Sequence, residues 1–190
     1  MINILRAPET LKIPWLDVFN QSYIYPEHLP NILAKYNLSL KALLALRKNS
    51  TDAFEPYGRK IIYKDHRIEV MLACWSYQAM ALPHNHGNSK GLIWFVQGDF
   101  TEQHYIFNHN HLQKITQAFY YQENSVVRIS ENEIHSCCPD STGLSLHIYS
   151  PPITNMKVWD EENKQTLTVA PECGAWVPEN KNLILSEVKW

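Results

Sequence analysis

Residues 144–152 read Leu-Ser-Leu-His-Ile-Tyr-Ser-Pro-Pro, and this stretch is the clearest indication of how the chain folds. Apolar and polar side chains alternate through its first six positions, which predicts a strand with one apolar and one polar face. Ser145, His147 and Tyr149 therefore share the polar face. In a barrel this row would be buried, so its groups must hydrogen-bond to one another, and a purely structural row is the alternative to a functional one.

Further strands are predicted on the N-terminal side of this stretch, because short runs of β-branched and aromatic residues recur there with turn residues between them. The predicted strands cover residues 60–63, 68–74, 92–96, 100–107, 126–129 and 144–149. So many strands in succession predict a mainly β fold, an antiparallel sandwich or barrel. Between residues 26 and 49, apolar spacings of three and four predict two short helices, broken near Asn37.

Length and composition predict one folded domain, since 190 residues with 45% hydrophobic and 19% charged side chains can build one core. We expect a helical N-terminal part (1–55), a barrel core (56–160) and a C-terminal extension (161–190) in which the sequence predicts little. A net charge of −2 without long charge runs excludes electrostatic nucleic-acid binding. No apolar span of membrane length and no signal peptide are recognised. Four cysteines without a C-x-x-C spacing favour a reducing cytoplasm, and we expect a monomer.

Three histidines are candidate metal ligands. His84 and His86 are two residues apart, so alternation places both imidazoles on one face, although two partly exposed histidines are an equally good interpretation of this pair taken by itself. His135, on a neighbouring strand, would complete a set of three neutral donors with open coordination positions, which a catalytic metal site requires. Residue types do not choose the metal, and hydrolytic zinc fits them as well as iron.

Arg59, two positions after Tyr57, is placed to enter the mouth of a barrel. Its planar guanidinium could grip a carboxylate at two points, and a surface arginine is the alternative. Serine hydrolysis is disfavoured, because Ser145 and His147 lie side by side on one strand with no carboxylate to orient the histidine. Neither a Gly-rich phosphate loop nor a G-x-S-x-G elbow is present.

Four segments, taken together, resemble the type I cysteine dioxygenase family of the cupin superfamily over residues 56–160. They are Tyr-Gly-Arg-Lys at 57–60, Pro-His-Asn-His-Gly at 83–87, Gly-Asp at 98–99 and the stretch at 144–152. The resemblance implies a jelly-roll-like cupin barrel that converts L-cysteine and O2 to cysteine sulfinic acid. It implies Fe(II) on His84, His86 and His135. It also implies that Arg59 and Tyr57 receive the substrate carboxylate, that Ser145, His147 and Tyr149 form a catalytic row reaching the iron, and that the Ser150-Pro151 bond is cis.

The sequence departs from the family pattern at residues 90 and 91. Gly91 stands where animal members carry a cysteine cross-linked to the tyrosine of the row, so this chain should lack the thioether, as bacterial members do. Lys90 and Gly91 also occupy the place of the usual cupin glutamate ligand, which leaves three ligands. A dioxygenase of 3-mercaptopropionate or another small thiol, a non-catalytic cupin that binds a metal or ligand, and a zinc hydrolase remain alternatives; arginine rather than glutamine at position 59 favours cysteine.

Overall fold

The computed structural model describes residues 40–46, 55–115 and 117–190. One α-helix, one 3-10 helix and thirteen strands occur in these residues. In chain order they are α1 (Leu40–Ala45), β1 (Tyr57–Lys64), β2 (Glu69–Trp75), β3 (Ala81–His84), β4 (Lys90–Gln97), β5 (Phe100–Asn108), β6 (His111–Lys114), β7 (Phe119–Tyr121), β8 (Val126–Ile129), β9 (Ile134–Pro139), β10 (Gly143–Ser150), β11 (Met156–Asp160), β12 (Gln165–Val169), the 3-10 helix (Lys181–Leu183) and β13 (Ile184–Lys189).

The strands form two antiparallel sheets. The first sheet has five strands in the order β1-β2-β10-β4-β8. The second has eight, in the order β13-β12-β11-β3-β9-β5-β6, with β7 paired to β5. Side chains from both sheets meet in one inner core, so the sheets lie face to face. The predicted mainly β fold is confirmed, but the two sheets do not join into one closed barrel.

The central strands of the first sheet, β2, β10 and β4, are buried on both faces. Leu144, Leu146 and Ile148 of β10 pack into an outer cluster that also contains Leu43 of α1. The alternate side chains of the same strand face the inner core, as the alternation predicts. Burial on both faces also explains β2, in which all seven residues are buried and the sequence shows little alternation.

All six predicted strands are present, and four of them are longer than predicted. Helix α1 lies in the region predicted to be helical, whereas the first predicted helix and the break near Asn37 lie outside the described residues. Residues 161–190, for which the sequence predicted little, extend the second sheet through β12 and β13. A tail strand of this kind is recognisable only from its partner, because its own pattern is weakly apolar.

None of the helices in the described residues has the length and apolar character needed to cross a membrane. All four cysteines lie in the described part of the chain, and no disulfide joins them. The cytoplasmic location stays a prediction. The Ser150-Pro151 bond is cis, as the resemblance implies.

Candidate active site

Three buried imidazoles converge at the C-terminal end of β3. His84 is the last residue of β3, His86 follows two positions later, and His135 lies opposite His84 in the β3–β9 register. Their possible ligand nitrogens all lie within 4.8 Å of one another. The structure therefore brings together the three histidines that the sequence singled out, from two neighbouring strands.

The spacing of these nitrogens fits one metal ion. The Nε2 atoms of His86 and His135 are 3.3 Å apart. Metal–nitrogen bonds of roughly 2.1 Å place two ligand nitrogens about 3.0 Å apart at a right angle and about 3.4 Å apart at a tetrahedral angle. The observed distance lies between these values. The donor set thus fits a metal ion, while the geometry favours neither an octahedral nor a tetrahedral one.

The protonation of His84 and His86 also suits a metal site. Nδ1 of His84 lies 2.8 Å from the carbonyl oxygen of Leu82, which can only accept, so this nitrogen carries the hydrogen and Nε2 keeps its lone pair. Burial, together with the neighbouring His135 and His147, lowers the pKa of His84 to about 3. Burial likewise holds the pKa of His86 well below its usual value. His84 and His86 are therefore neutral donors at physiological pH.

The polar row of β10 is a continuous hydrogen-bond chain that begins at a tryptophan. Nε1 of Trp75 donates to Oγ of Ser145 at 2.8 Å, and that Oγ lies 2.7 Å from Nε2 of His147. Nδ1 of His147 lies 2.8 Å from the hydroxyl oxygen of Tyr149. The indole nitrogen only donates, so the chain is satisfied throughout when Ser145 donates to Nε2 and Nδ1–H donates to Tyr149. The hydroxyl hydrogen of Tyr149 is then directed away from the row.

The ring of Tyr149 lies beside the histidines, stacked on His86 with centroids 5.4 Å apart. Burial raises the pKa of Tyr149 well above its usual value, so it remains a phenol. Gly91 lies opposite Tyr149 in the β4–β10 register, and a Cβ at this glycine would come within 2.9 Å of Cδ1 of Tyr149. A side chain at position 91 would therefore face the Tyr149 ring, and glycine carries no sulfur for a cross-link.

Tyr57 and Arg59 of β1 line the same cavity, but part of their hydrogen-bonding capacity is used by the C-terminal segment 171–175. The hydroxyl oxygen of Tyr57 accepts a hydrogen bond of 3.1 Å from the backbone N–H of Ala175. Nη1 of Arg59 donates to the carbonyl oxygens of Glu172 at 2.8 Å and Cys173 at 2.6 Å. Both side chains thus face the cavity and also hold its C-terminal wall in place.

The cavity that contains these groups is mostly apolar. Among the described residues that line it, Arg59 is the one lysine, arginine, aspartate or glutamate. Sequence reasoning missed Trp75, which begins the hydrogen-bond chain, and the segment 170–174, which forms a wall. A tryptophan at a strand end is a common core residue, and the segment has no local pattern, so neither carried a signal that marks a site.

Comparison with known families gives a match to the model described as "Cysteine dioxygenase type I" over residues 10–162. The chain belongs to the cysteine dioxygenase type I family. A curated relative of this family member, "Cysteine dioxygenase type 1" of Danio rerio, is 24% identical over 176 residues, covering 87% of this chain and 86% of the relative. The family is that of cupin thiol dioxygenases, oxidoreductases that use a small-molecule thiol and O2.

Solved structures similar to this cysteine dioxygenase family member include KdgF from a Halomonas species, with a TM-score of 0.45 and 15% identity, covering 55% of this chain and 88% of that one. A second is a protein with a double-stranded β-helix domain from Klebsiella pneumoniae, with a TM-score of 0.48 and 9% identity, covering 72% of this chain and 91% of that one. The two-sheet architecture of this chain confirms the cupin, or double-stranded β-helix, fold that the sequence predicted.

Proposed function

We propose that this protein is an Fe(II)-dependent dioxygenase that converts L-cysteine and O2 to cysteine sulfinic acid. The observation that carries the proposal is the guanidinium of Arg59, the one lysine or arginine side chain among the described residues that line a largely apolar cavity. The same cavity also holds the three-imidazole set. Iron on His84, His86 and His135 would supply the redox chemistry that lets O2 react with a thiolate. The overall change is balanced, because R-SH and O2 give R-SO2H with both oxygen atoms on sulfur and no further reductant.

The charge of Arg59 supports a substrate with a carboxylate. Its hydrogen-bond partners among the described residues are the sulfur of Met71 and backbone carbonyl oxygens, none of which carries a full negative charge. No ion pair between described residues involves Arg59. A partly buried cation with no charged partner in the described part of the chain favours an anion, and a guanidinium can hold a carboxylate through charge-assisted hydrogen bonds. Cysteine meets this requirement, whereas cysteamine brings no carboxylate.

Tyr57 and Tyr149 are proposed to orient the substrates. Burial raises the pKa of Tyr57 to about 12, so its hydroxyl keeps a hydrogen that can be donated to a carboxylate beside Arg59. The hydroxyl of Tyr149 is held by His147, and its hydrogen is available to a group beside His86. Held donors of this kind lose little freedom when substrate binds, which is the physical basis of preorganisation.

The apolar walls have a role as well. Ile93, Phe95 and Ile153 line the cavity, and all three are buried in the inner core. An apolar enclosure excludes water, strengthens the attraction between Arg59 and a carboxylate, and protects a reactive sulfur from side reactions.

The test is oxygen consumption by the iron-loaded protein with cysteine, 3-mercaptopropionate and cysteamine side by side. We expect kcat/KM for cysteine to exceed that for cysteamine by more than about tenfold, equivalent to roughly 1.4 kcal/mol. Faster turnover of 3-mercaptopropionate would assign the site to that thiol. No oxygen uptake with any of the three would indicate a binding protein, and turnover of an ester or amide substrate under anaerobic conditions would indicate a hydrolase.

A further inference from the structure

The three histidines of the candidate metal centre differ in what supports their outer nitrogens. Nδ1 of His84 meets a backbone carbonyl oxygen, that of Leu82, at 2.8 Å. Nδ1 of His86 is buried and has no hydrogen-bond partner among the described residues. Nδ1 of His135 is in direct contact with the carboxylate of Glu102. Of the three candidate ligands, His135 is thus the one whose outer nitrogen contacts a carboxylate.

Strand pairing places the buried side chain of Glu102 next to His135. Glu102 lies on β5, which pairs with β9, the strand of His135, and its side chain is 3% exposed. His104, two positions along β5, is opposite His135 in the register, and its Nε2 lies 3.3 Å from Oε1 of Glu102. The hydroxyl of Tyr121 hydrogen-bonds to the same carboxylate. A buried carboxylate is costly unless such donors surround it.

The contact between Glu102 and His135 determines which nitrogen of the imidazole is free to hold a metal ion. A carboxylate that accepts from Nδ1–H fixes the tautomer of the imidazole, so the lone pair of His135 is on Nε2, the atom that lies 3.3 Å from Nε2 of His86.

We infer that Glu102 is a positioning residue of the metal centre, which orients His135 and supplies the negative charge that the three neutral ligands lack. This inference rests on the proposed metal site. Three imidazoles leave both positive charges of a divalent ion uncompensated, and no described aspartate or glutamate lines the cavity. A hydrogen-bonded carboxylate behind the ring raises the basicity of the ligand nitrogen, and loss of such a partner weakens metal binding by about 10–100-fold.

The experiment compares Glu102→Gln with the wild type in metal affinity. An amide oxygen still accepts from Nδ1–H but carries no charge. We expect the dissociation constant for Fe(II), measured anaerobically by competition with a chelator, to rise by about tenfold or more. The matched control is Glu133→Gln, whose carboxylate lies 3.6 Å from Nε2 of His104 on the same network; its effect should stay below about twofold. An unchanged affinity in Glu102→Gln, with thermal unfolding like that of the wild type, overturns the inference.

A second measurement keeps the inference testable if Glu102→Gln does not fold. In the wild-type protein loaded with diamagnetic zinc, the nitrogen spectrum of His135 should show a proton on Nδ1, shifted downfield by the carboxylate. A bare Nδ1 would overturn the inference. Failure of the proposed function is distinguishable, because in that case the wild type itself does not hold one metal ion per chain, or His135→Ala retains it.

Discussion

The carbonyl oxygen of Cys173 accepts a hydrogen bond of 2.6 Å from Nη1 of Arg59, across 114 positions of the chain. The predicted carboxylate receptor is therefore also an anchor for the C-terminal wall of the cavity. A substitution of Arg59 changes two things at once, and a test of its role must separate the loss of a substrate contact from the loss of the wall.

Arg59→Ala should lower kcat/KM for cysteine by more than about tenfold, or roughly 1.4 kcal/mol, since the carboxylate loses its charged partner. Oxygen uptake with cysteine and with cysteamine separates the two roles. Loss of the carboxylate contact lowers turnover of cysteine alone, whereas a displaced wall lowers both. Lys60→Ala, next to Arg59 but not among the residues that line the cavity, serves as the control. An unchanged kcat/KM for cysteine would remove Arg59 from the binding site.

His135→Ala should abolish retention of iron, because two imidazoles are left to hold the ion. Metal content after purification, determined by elemental analysis, provides the measurement. His111→Ala removes an exposed histidine on β6 and should leave the metal content at the wild-type level. A His135→Ala protein that purifies with its full metal content would show that the ligand lies elsewhere.

Ser145→Ala should destabilise the protein by about 1–3 kcal/mol, because both the buried N–H of Trp75 and Nε2 of His147 lose their partner. The free energy of unfolding from urea titration measures this loss. Turnover should fall as well, since His147 no longer has a fixed tautomer to hold Tyr149. Ser186→Ala, which removes an exposed hydroxyl hydrogen bond to Thr168, should cost much less. Equal losses in the two variants would show that the row adds no stability.

The stability of the metal-free protein should fall as the pH drops below about 6.5. Burial, with nearby His135 and Arg59, lowers the pKa of His147 to about 3 in the folded state, from 6.5 as its ordinary value. The unfolded chain therefore binds a proton between these values while the folded chain does not, so acid favours unfolding. Between pH 7 and pH 5 this histidine alone accounts for a loss of about 2 kcal/mol.

Comparison of the wild type with His147→Gln isolates this contribution. The free energy of unfolding of the variant should depend less steeply on pH over the same interval, measured by urea titration of both proteins without metal. Parallel curves for the two proteins would show that His147 titrates normally in the folded state.

Local pattern was enough to predict the strands around the site and the row on β10. The alternation at residues 144–149 predicts which side chains face the inner core, and a strand with period two leaves no second solution once one face is apolar. The spacing of His84 and His86 predicted a shared face in the same way. His135 was predicted as the third ligand from its place on a neighbouring strand. The family motifs added the expected roles of Arg59 and Tyr57, which stay predictions.

The residue types of the site can be read from the chain alone, since imidazoles, a guanidinium and an alternating polar row can be recognised wherever they lie. Their supporting contacts are visible only after folding: Glu102 against His135, Trp75 against Ser145, and the C-terminal segment against Arg59. These partners are 33, 70 and 114 positions apart. The physical reason is that strand pairing and sheet packing set such contacts, and neither leaves a mark in the local order of residues.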